Sequence, residues 1–164
     1  MTNKTSLHFM CGKAGSGKST LSKALAKQHS ATLISEDIWL ARLFPEEIRD
    51  FNEYIRYSRR VKEVIAPLVI DMLARQSVVL DFPANTIQSR QWFKSIIQQA
   101  ESGHILHYVS ASNALCLNRI AVRNVERPEG SHEIDEATFM HITSFFEPPS
   151  SEEGFNVHLH EQRA

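Results

Sequence analysis

Short apolar runs alternate along the chain with longer segments whose apolar positions recur at helical spacing. Leu7-His8-Phe9-Met10-Cys11 reads as a buried strand within residues 5–11, and residues 18–28 as a helix with Leu21, Ala24 and Leu25 on one face. Ala31 to Ser35 predicts a second strand, followed by an apolar helical segment from Ile38 to Phe44. Pro45-Glu46-Glu47 has the proline and early acids of a helix start, and that helix is expected to run to about Arg60. A further helix is expected from Val61 to Arg75, apolar at Val64, Ile65, Leu68, Val69, Met72 and Leu73, with Pro67 bending it or marking its true start. Ser77 to Asp81 predicts the third strand. Thr86 caps a helix of roughly Ile87 to Glu101 that Gly103 ends, and residues 104–109 predict the fourth strand. Ser112 or Asn113 caps a helix through about Val125, and 127–132 reads as a polar loop. A last helix is expected from Ile134 to Phe146, stopped by Pro148-Pro149, with a fifth strand over 155–159. Alternating strands and helices predict an α/β fold, a five-stranded parallel sheet covered by helices in three α/β/α layers. Ligands of such sheets collect at the carboxyl ends of the strands. That rule gathers Gly12–Thr20, Glu36-Asp37 and Asp81–Asn85 at one edge.

The turn between the first strand and the first helix carries the most specific chemistry. Gly12-Lys13-Ala14-Gly15-Ser16-Gly17-Lys18-Ser19-Thr20 fits the phosphate-binding loop pattern, two glycines around four residues and then Lys-Ser/Thr. Backbone N–H groups turn inward around a polyphosphate only where φ can become positive, which glycine does at little cost. The helix beginning at about Lys18 adds its positive end. The motif assigns Lys18 to the β- and γ-phosphates of a nucleoside triphosphate and the Ser19 hydroxyl to Mg²⁺. Past the second strand, Asp37 stands where a γ-phosphate would meet an acceptor, able to take a hydroxyl proton or simply to cap the next helix. Glu36 competes for that role. Asp81, closing Val-Val-Leu-Asp, suits a Mg²⁺-holding carboxylate or an acceptor contact. Arg119, Arg123 and Arg127 recur every four residues before a polar loop, so they share one helix face, either suited to phosphate oxygens or simply a solvated basic face. Arg56, Arg59, Arg60, Tyr54 and Tyr57 are candidates for lining an acceptor pocket, and Trp39 and Phe44 for stacking or core. His158 and His160 share a strand face without a third metal ligand, so core or surface positions are expected for them.

Composition narrows this picture. The chain has 164 residues, 42% of them hydrophobic, with a net charge of −1. One domain over 1–164 is expected, and duplex nucleic acid is not an expected partner. No apolar run approaches membrane-spanning length. No signal peptide is expected after Met1–Thr5, and two cysteines without metal-ligand spacing point to a reducing, cytoplasmic setting, with Cys11 a small buried apolar group. Three of the six glycines are spent in the loop, and the three left for all remaining turns are too few and too scattered for the glycine-rich signature of transporter ATPases. A guanine-reading Asn-Lys-x-Asp and a switch Asp-x-x-Gly do not occur.

From Leu7 to Asn156 the chain resembles a small P-loop kinase family of AAA-type ATP-binding proteins, which includes the 5′-hydroxyl kinase domain of polynucleotide kinase, chloramphenicol phosphotransferase and zeta toxins. The resemblance implies a nucleoside-kinase-like P-loop NTPase fold, with a helical acceptor region near 38–60 and a short lid near 124–134. It implies Asp37 as general base, Arg119 and Arg123 as lid arginines on the donor phosphates, and Asp81 on acceptor or metal. The stretch from Phe146-Glu147-Pro148-Pro149 to Gly154-Phe155-Asn156 resembles the loop bordering the purine. Polynucleotide kinases carry an acceptor-binding arginine where this chain has Leu40, with Arg42 out of register. The expected activity is therefore transfer of the γ-phosphate of ATP, with Mg²⁺, to a hydroxyl of a small molecule, by a monomer or homodimer. An ATP-binding or ATPase regulatory module and a nucleic-acid 5′-hydroxyl kinase are the alternatives, and the sequence leaves ATP against GTP open.

Overall fold

The computed structural model describes residues 4–163; the ends of the expected 1–164 domain, residues 1–3 and 164, lie outside the described residues. Five strands, β1 (Ser6–Cys11), β2 (Thr32–Ser35), β3 (Val78–Pro83), β4 (Gly103–Ser110) and β5 (Val157–Glu161), form one parallel sheet in the order β2-β3-β1-β4-β5. The helices are α1 (Lys18–Gln28), α2 (Glu36–Leu43), α3 (Phe51–Leu73), α4 (Ile87–Ala100), α5 (Asn113–Glu126) and α6 (Glu136–Thr143). One sheet face puts Leu7, Phe9, Cys11, Leu80 and Leu106 against Ile65, Val69, Phe93 and Ile96 of α3 and α4. The other face puts Met10 and Val79 against Leu25 of α1. The three-layer α/β/α fold stands as expected. β1 sits at the centre, so the loop that follows it opens at the middle of the carboxyl edge.

Several boundaries differ from the sequence reading, each for a local reason. Pro45-Glu46-Glu47 does not start a helix; Glu46 is left-handed (φ 64°), and the helix begins six residues after Pro45 at Phe51, capped by Asp50, whose side chain accepts the Glu53 N–H at 2.8 Å. The two helices expected on either side of Arg60 are one helix, α3, with Pro67 inside it. An interior proline costs a backbone hydrogen bond. The buried stripe Val61, Ile65, Val69 and Leu73 offsets that cost by continuing unbroken past it. Glu101 (φ 51°), rather than Gly103, closes α4, because Gly103 already pairs with Ser6 as the first residue of β4. Asp135 caps α6 and delays its start, and β5 begins two residues later than expected. Thr86 and Ser112 cap α4 and α5 as expected, each accepting the N–H three residues on.

Histidines cross the sheet on the α1 side. His8 Nδ1 lies 3.0 Å from His107 Nε2, His107 Nδ1 lies 2.8 Å from His160 Nε2, and His29 stacks on His8 with ring centroids 4.5 Å apart. Each neutral imidazole has one donor and one acceptor, so His8, His107 and His160 must all carry the proton on Nδ1 or all on Nε2. His160 therefore ends this file, His158 lies edge-on to His107 with ring centroids 5.9 Å apart, and among the described residues no cluster fit for a metal occurs. Burial and neighbouring histidines pull His8 down to about 4 and His107 to about 3. The folded chain then binds fewer protons than the unfolded chain below the ordinary histidine value, so stability is intact above pH of about 6.5 and falls as pH drops toward 4. The denaturant midpoint should drop between pH 7 and 4.5, and His107→Gln should flatten that decline.

Candidate active site

The glycine loop is shaped by what surrounds it. Gly15 (φ 75°) passes so close to α5 that a Cβ there would stand 2.6 Å from the Cys116 carbonyl oxygen and 2.9 Å from Ile120 Cγ1. Gly12 lies equally tight under the Val109 carbonyl, at 2.5 Å. Neither position admits a side chain. Lys18, the first residue of α1, donates its ammonium to Gly12 O (2.6 Å) and Lys13 O (2.8 Å), curling the loop around its own cation. Burial lowers its pKa to about 8, with Asp81 the main opposing charge. Asn85 accepts the Gly12 N–H at 2.9 Å, and Lys13 donates to Asn113 Oδ1 at 2.8 Å, so strand ends on both sides pin the loop. Lys13 thus ties loop to scaffold, Ala14 packs against the α5–α6 core, and the Ser16 hydroxyl is buried without a partner. Thr20 lies exposed on the first turn of α1.

The metal-type pair stands together: Ser19 Oγ donates to Asp81 Oδ2 at 2.9 Å. Asp81 does not end its strand, as the sequence suggested, because β3 runs on to Pro83. The register of β1 against β3 slips between Phe9 and Met10, so a bulge falls at Asp81 and Phe82. Bulges beside active sites re-aim side chains. Two hard oxygen donors thereby face each other across the loop, a set that fits Mg²⁺.

Asp37 is not the cap of α2; that place belongs to Ser35, and Asp37 sits in the first turn. Its carboxyl is pushed up to about 7 first by desolvation among the groups packed around it, then by the charges of Glu36 and Asp81, while Arg123 and Lys18 pull it back; the residue itself is open to solvent on one side. Those four charged neighbours put Asp37 within electrostatic reach of the loop lysine and of Asp81. Glu36 is fully buried and taken: Tyr54 donates to Oε1 at 2.5 Å and Ser58 to Oε2 at 2.7 Å. The sequence reading missed this clamp, although an acid beside Asp37 and hydroxyls four apart at Tyr54 and Ser58 are visible in the chain.

The arginine row divides its work. Arg119 donates Nη1 to Ser16 O at 2.8 Å and so braces the loop from outside. Arg123 has its Nε buried without a partner and bears on both Asp37 and Lys18. An orphaned buried donor at that point fits an anionic group. Arg127 leaves the row, because α5 ends at Glu126 and Arg127 turns left-handed (φ 47°) into solvent near Glu133. The loop beyond is closed at its base by the Asn124 amide, which donates to Ile134 O and accepts the Ile134 N–H. It folds onto α2: a Cβ on Gly130 would meet the Asp37 backbone at 3.0 Å, and Arg42 grips Glu129 through Nε and Nη2 at 2.7 and 3.0 Å. Arg42 thus contacts the lid.

A second feature absent from the sequence reading anchors the stretch 144–156. Arg90 is completely buried and forks onto Glu153 at 2.7 and 3.1 Å, while its Nη1 donates to the carbonyls of Ala84 and Glu147. That pair fixes the Phe146–Asn156 segment beside the loop. Of the aromatic candidates, Tyr54 faces Glu36, Trp39 and Phe44 pack on the main core, and Tyr57 stacks on Phe44. Cys11 is buried and its thiol raised to about 12, as a small apolar group would be.

A parallel sheet with a glycine loop closing on a helix-borne lysine at its central strand defines a P-loop NTPase of the kinase-like type. A family profile described as AAA domain matches residues 7–149, and the chain belongs to that family. No curated protein matches the sequence. Among solved structures it is similar to a "putative kinase" from Chloroflexus aurantiacus (18% identity, 98% of this chain and 87% of that one, TM-score 0.77). Chaetomium thermophilum Kti12 in complex with ADP-AlF3 is also similar (17%, 94% and 88%, TM-score 0.69), as is a gluconokinase from Sinorhizobium meliloti (20%, 95% and 82%, TM-score 0.60). At these identities the likeness is one of fold. No described helix is long and apolar enough to cross a membrane.

Removing the Glu153 carboxylate strands a buried guanidinium. Glu153→Ala should cost roughly 3–5 kcal/mol in denaturant unfolding, whereas Glu129→Ala at the exposed pair with Arg42 should leave the midpoint nearly unchanged.

Proposed function

We propose that the chain is a phosphotransferase that moves the γ-phosphate of ATP onto a hydroxyl of a small molecule, with Asp37 as the general base. The observation that carries this reading is the meeting of a phosphate cradle with a carboxyl group that titrates near neutrality. A plain nucleotide-binding module needs the loop but has no use for a base at that point. The Gly12–Thr20 loop, closed around Lys18, holds the donor's phosphates through its backbone N–H groups. Mg²⁺, held by Ser19 and Asp81, would neutralise phosphate charge.

Asp37 accepts the proton of the acceptor hydroxyl as its oxygen bonds to the γ-phosphorus and the bond from that phosphorus to the β-phosphate oxygen breaks. Lys18 and Arg123 meet the charge left on the β-phosphate, and Arg119 holds the loop in register through Ser16. Desolvation first, and then the charge of the neighbouring Glu36 that Tyr54 and Ser58 clamp in place, raise the basicity of the Asp37 carboxylate. The loop at Gly130 lies against the Asp37 backbone and serves as a lid over the same point.

The test pairs transfer with stability. Incubation with labelled ATP and a small-metabolite extract should yield a new phosphorylated product; ADP alone would favour a regulatory ATPase, and labelled 5′-hydroxyl oligonucleotides a nucleic-acid kinase. Lys18→Ala should abolish product, and full transfer in that variant would falsify the proposal. Asp37→Asn should lower kcat by at least about 100-fold with ATP binding retained. Because folding raises the Asp37 pKa to about 7, its charged form works against folding above that pH, and Asp37→Asn should melt no lower than wild type at pH 8. In wild type, kcat/KM should rise with pH through about 7 and then level.

A further inference from the structure

Beside Glu36 and Asp37 lies a cleft of about 280 Å³ whose lining is mostly apolar surface, Ile55 included, with its two charged groups gathered on the α3 wall. Tyr54, Ser58 and Lys62 recur every four residues of α3 and form one wall, flanked by Arg59; Pro83 from the end of β3 and Ser89 from the start of α4 form the other. Tyr54 and Ser58 also bind Glu36, the neighbour of Asp37, and Pro83 lies two residues past Asp81. The cleft therefore opens at the sheet edge where the transfer chemistry is assigned. Its two charged residues are both cations, and among the described residues neither Arg59 nor Lys62 forms an ion pair. Lys62 is half-buried, its ammonium held 5.5 Å from the centre of the Trp92 ring, so its position is set by packing. Arg56 and Arg60, by contrast, sit on the other face of α3 over Tyr57, each 5.6 Å from its ring centre. The basic run of α3 is thus split, and half of it faces a cleft.

The geometry points to an acceptor that is an anion: a hydroxylated small molecule with a carboxylate or phosphate group. Arg59 and Lys62 take that group, and the hydroxyl end lies toward Asp37. The inference rests on the kinase reading above and adds the class of its acceptor. Tyr54 forms the end of the cleft next to the carboxylates, and Arg59 and Lys62 lie about one and two turns further along α3 from it. The binding charge and the reacting hydroxyl are thereby kept apart by a few carbon atoms. A neutral polyol would leave both cations unmatched, and a long nucleic-acid strand would have to enter a cleft sized for a small molecule.

The test is to separate a deproteinised metabolite extract by anion exchange into neutral and anionic fractions and to assay each with labelled ATP. Product should form from the anionic fraction, with phosphatase pretreatment of that fraction separating a phosphate-bearing acceptor (activity lost) from a carboxylate-bearing one (activity kept). Lys62→Gln and Arg59→Gln should each raise KM for that fraction about tenfold or more, with kcat within about twofold, as expected for loss of a charged hydrogen bond outside the reacting atoms. Arg60→Gln, on the opposite face, should leave KM unchanged. Product confined to the neutral fraction, or KM unmoved in Lys62→Gln and Arg59→Gln, overturns the anionic acceptor and leaves the kinase reading standing. ADP without product from either fraction overturns the kinase reading and this inference with it.

Discussion

An ammonium group bonded to two carbonyls of its own loop is the contact on which the rest of the site depends. Lys18 reaches back to Gly12 and Lys13, and the loop can close around it only because Gly12 and Gly15 lie against the Val109 and Cys116 carbonyls with no space for a side chain. That closeness in turn requires β4 and α5 to stand where they do, fixed by strand pairing to β1 and by the Ser112 cap. A phosphate cradle is thus a property of three elements packed together. The same packing puts Arg119 against the loop from behind and leaves Arg123 with an unmatched donor on the inside.

Around that cation the charges are arranged in balance. Asp81 and Asp37 carry the negative side, Lys18 and Arg123 the positive; behind desolvation, Asp81 raises the Lys18 value and Arg123 lowers it, while Arg123 and Lys18 lower that of Asp37, as Coulomb's law requires. Asp37 is the member raised toward neutrality, by desolvation among the surrounding groups and by the Glu36 charge, while its side chain stays open to solvent and Glu36 has Tyr54 and Ser58 as donors. One acid is fixed and the other remains able to exchange a proton. Dividing adjacent carboxyl groups in this way is what acid–base chemistry at neutral pH calls for.

The helix that supplies those donors also shapes the other half of the site. α3 crosses the sheet without a break, so Tyr54, Ser58 and Lys62 keep a single line from the carboxylates to the cationic end of the cleft. On the far side, Arg90 and Glu153 hold the segment after α6 against α4 with a buried fork, while the lid over Asp37 is held by an exposed one between Arg42 and Glu129. Buried and exposed ion pairs of the same geometry differ in consequence, since water screens the second and not the first. The segment after α6 is therefore tied by the stronger of the two pairs, and the loop over Asp37 by the weaker.

Much of this was legible in the chain, and the division has a physical basis. The strand and helix order, the glycine loop, its lysine and serine, and the gathering of Asp37 and Asp81 at one edge all follow from hydrophobic period and local residue chemistry, which act within a few residues. Helix starts were less legible: Pro45 looks like one, but Asp50 had the better side chain for a cap, and a proline at 67 could not break a helix whose buried stripe ran past it. What only the tertiary structure decided were choices between remote partners. The fork of Arg90 on Glu153, the clamp of Tyr54 and Ser58 on Glu36, the loss of Arg127 from the arginine row and the histidine file across three strands each join groups that sequence alone leaves unpaired. A periodic pattern states which face a side chain takes; which distant group it meets there is set by how the elements pack.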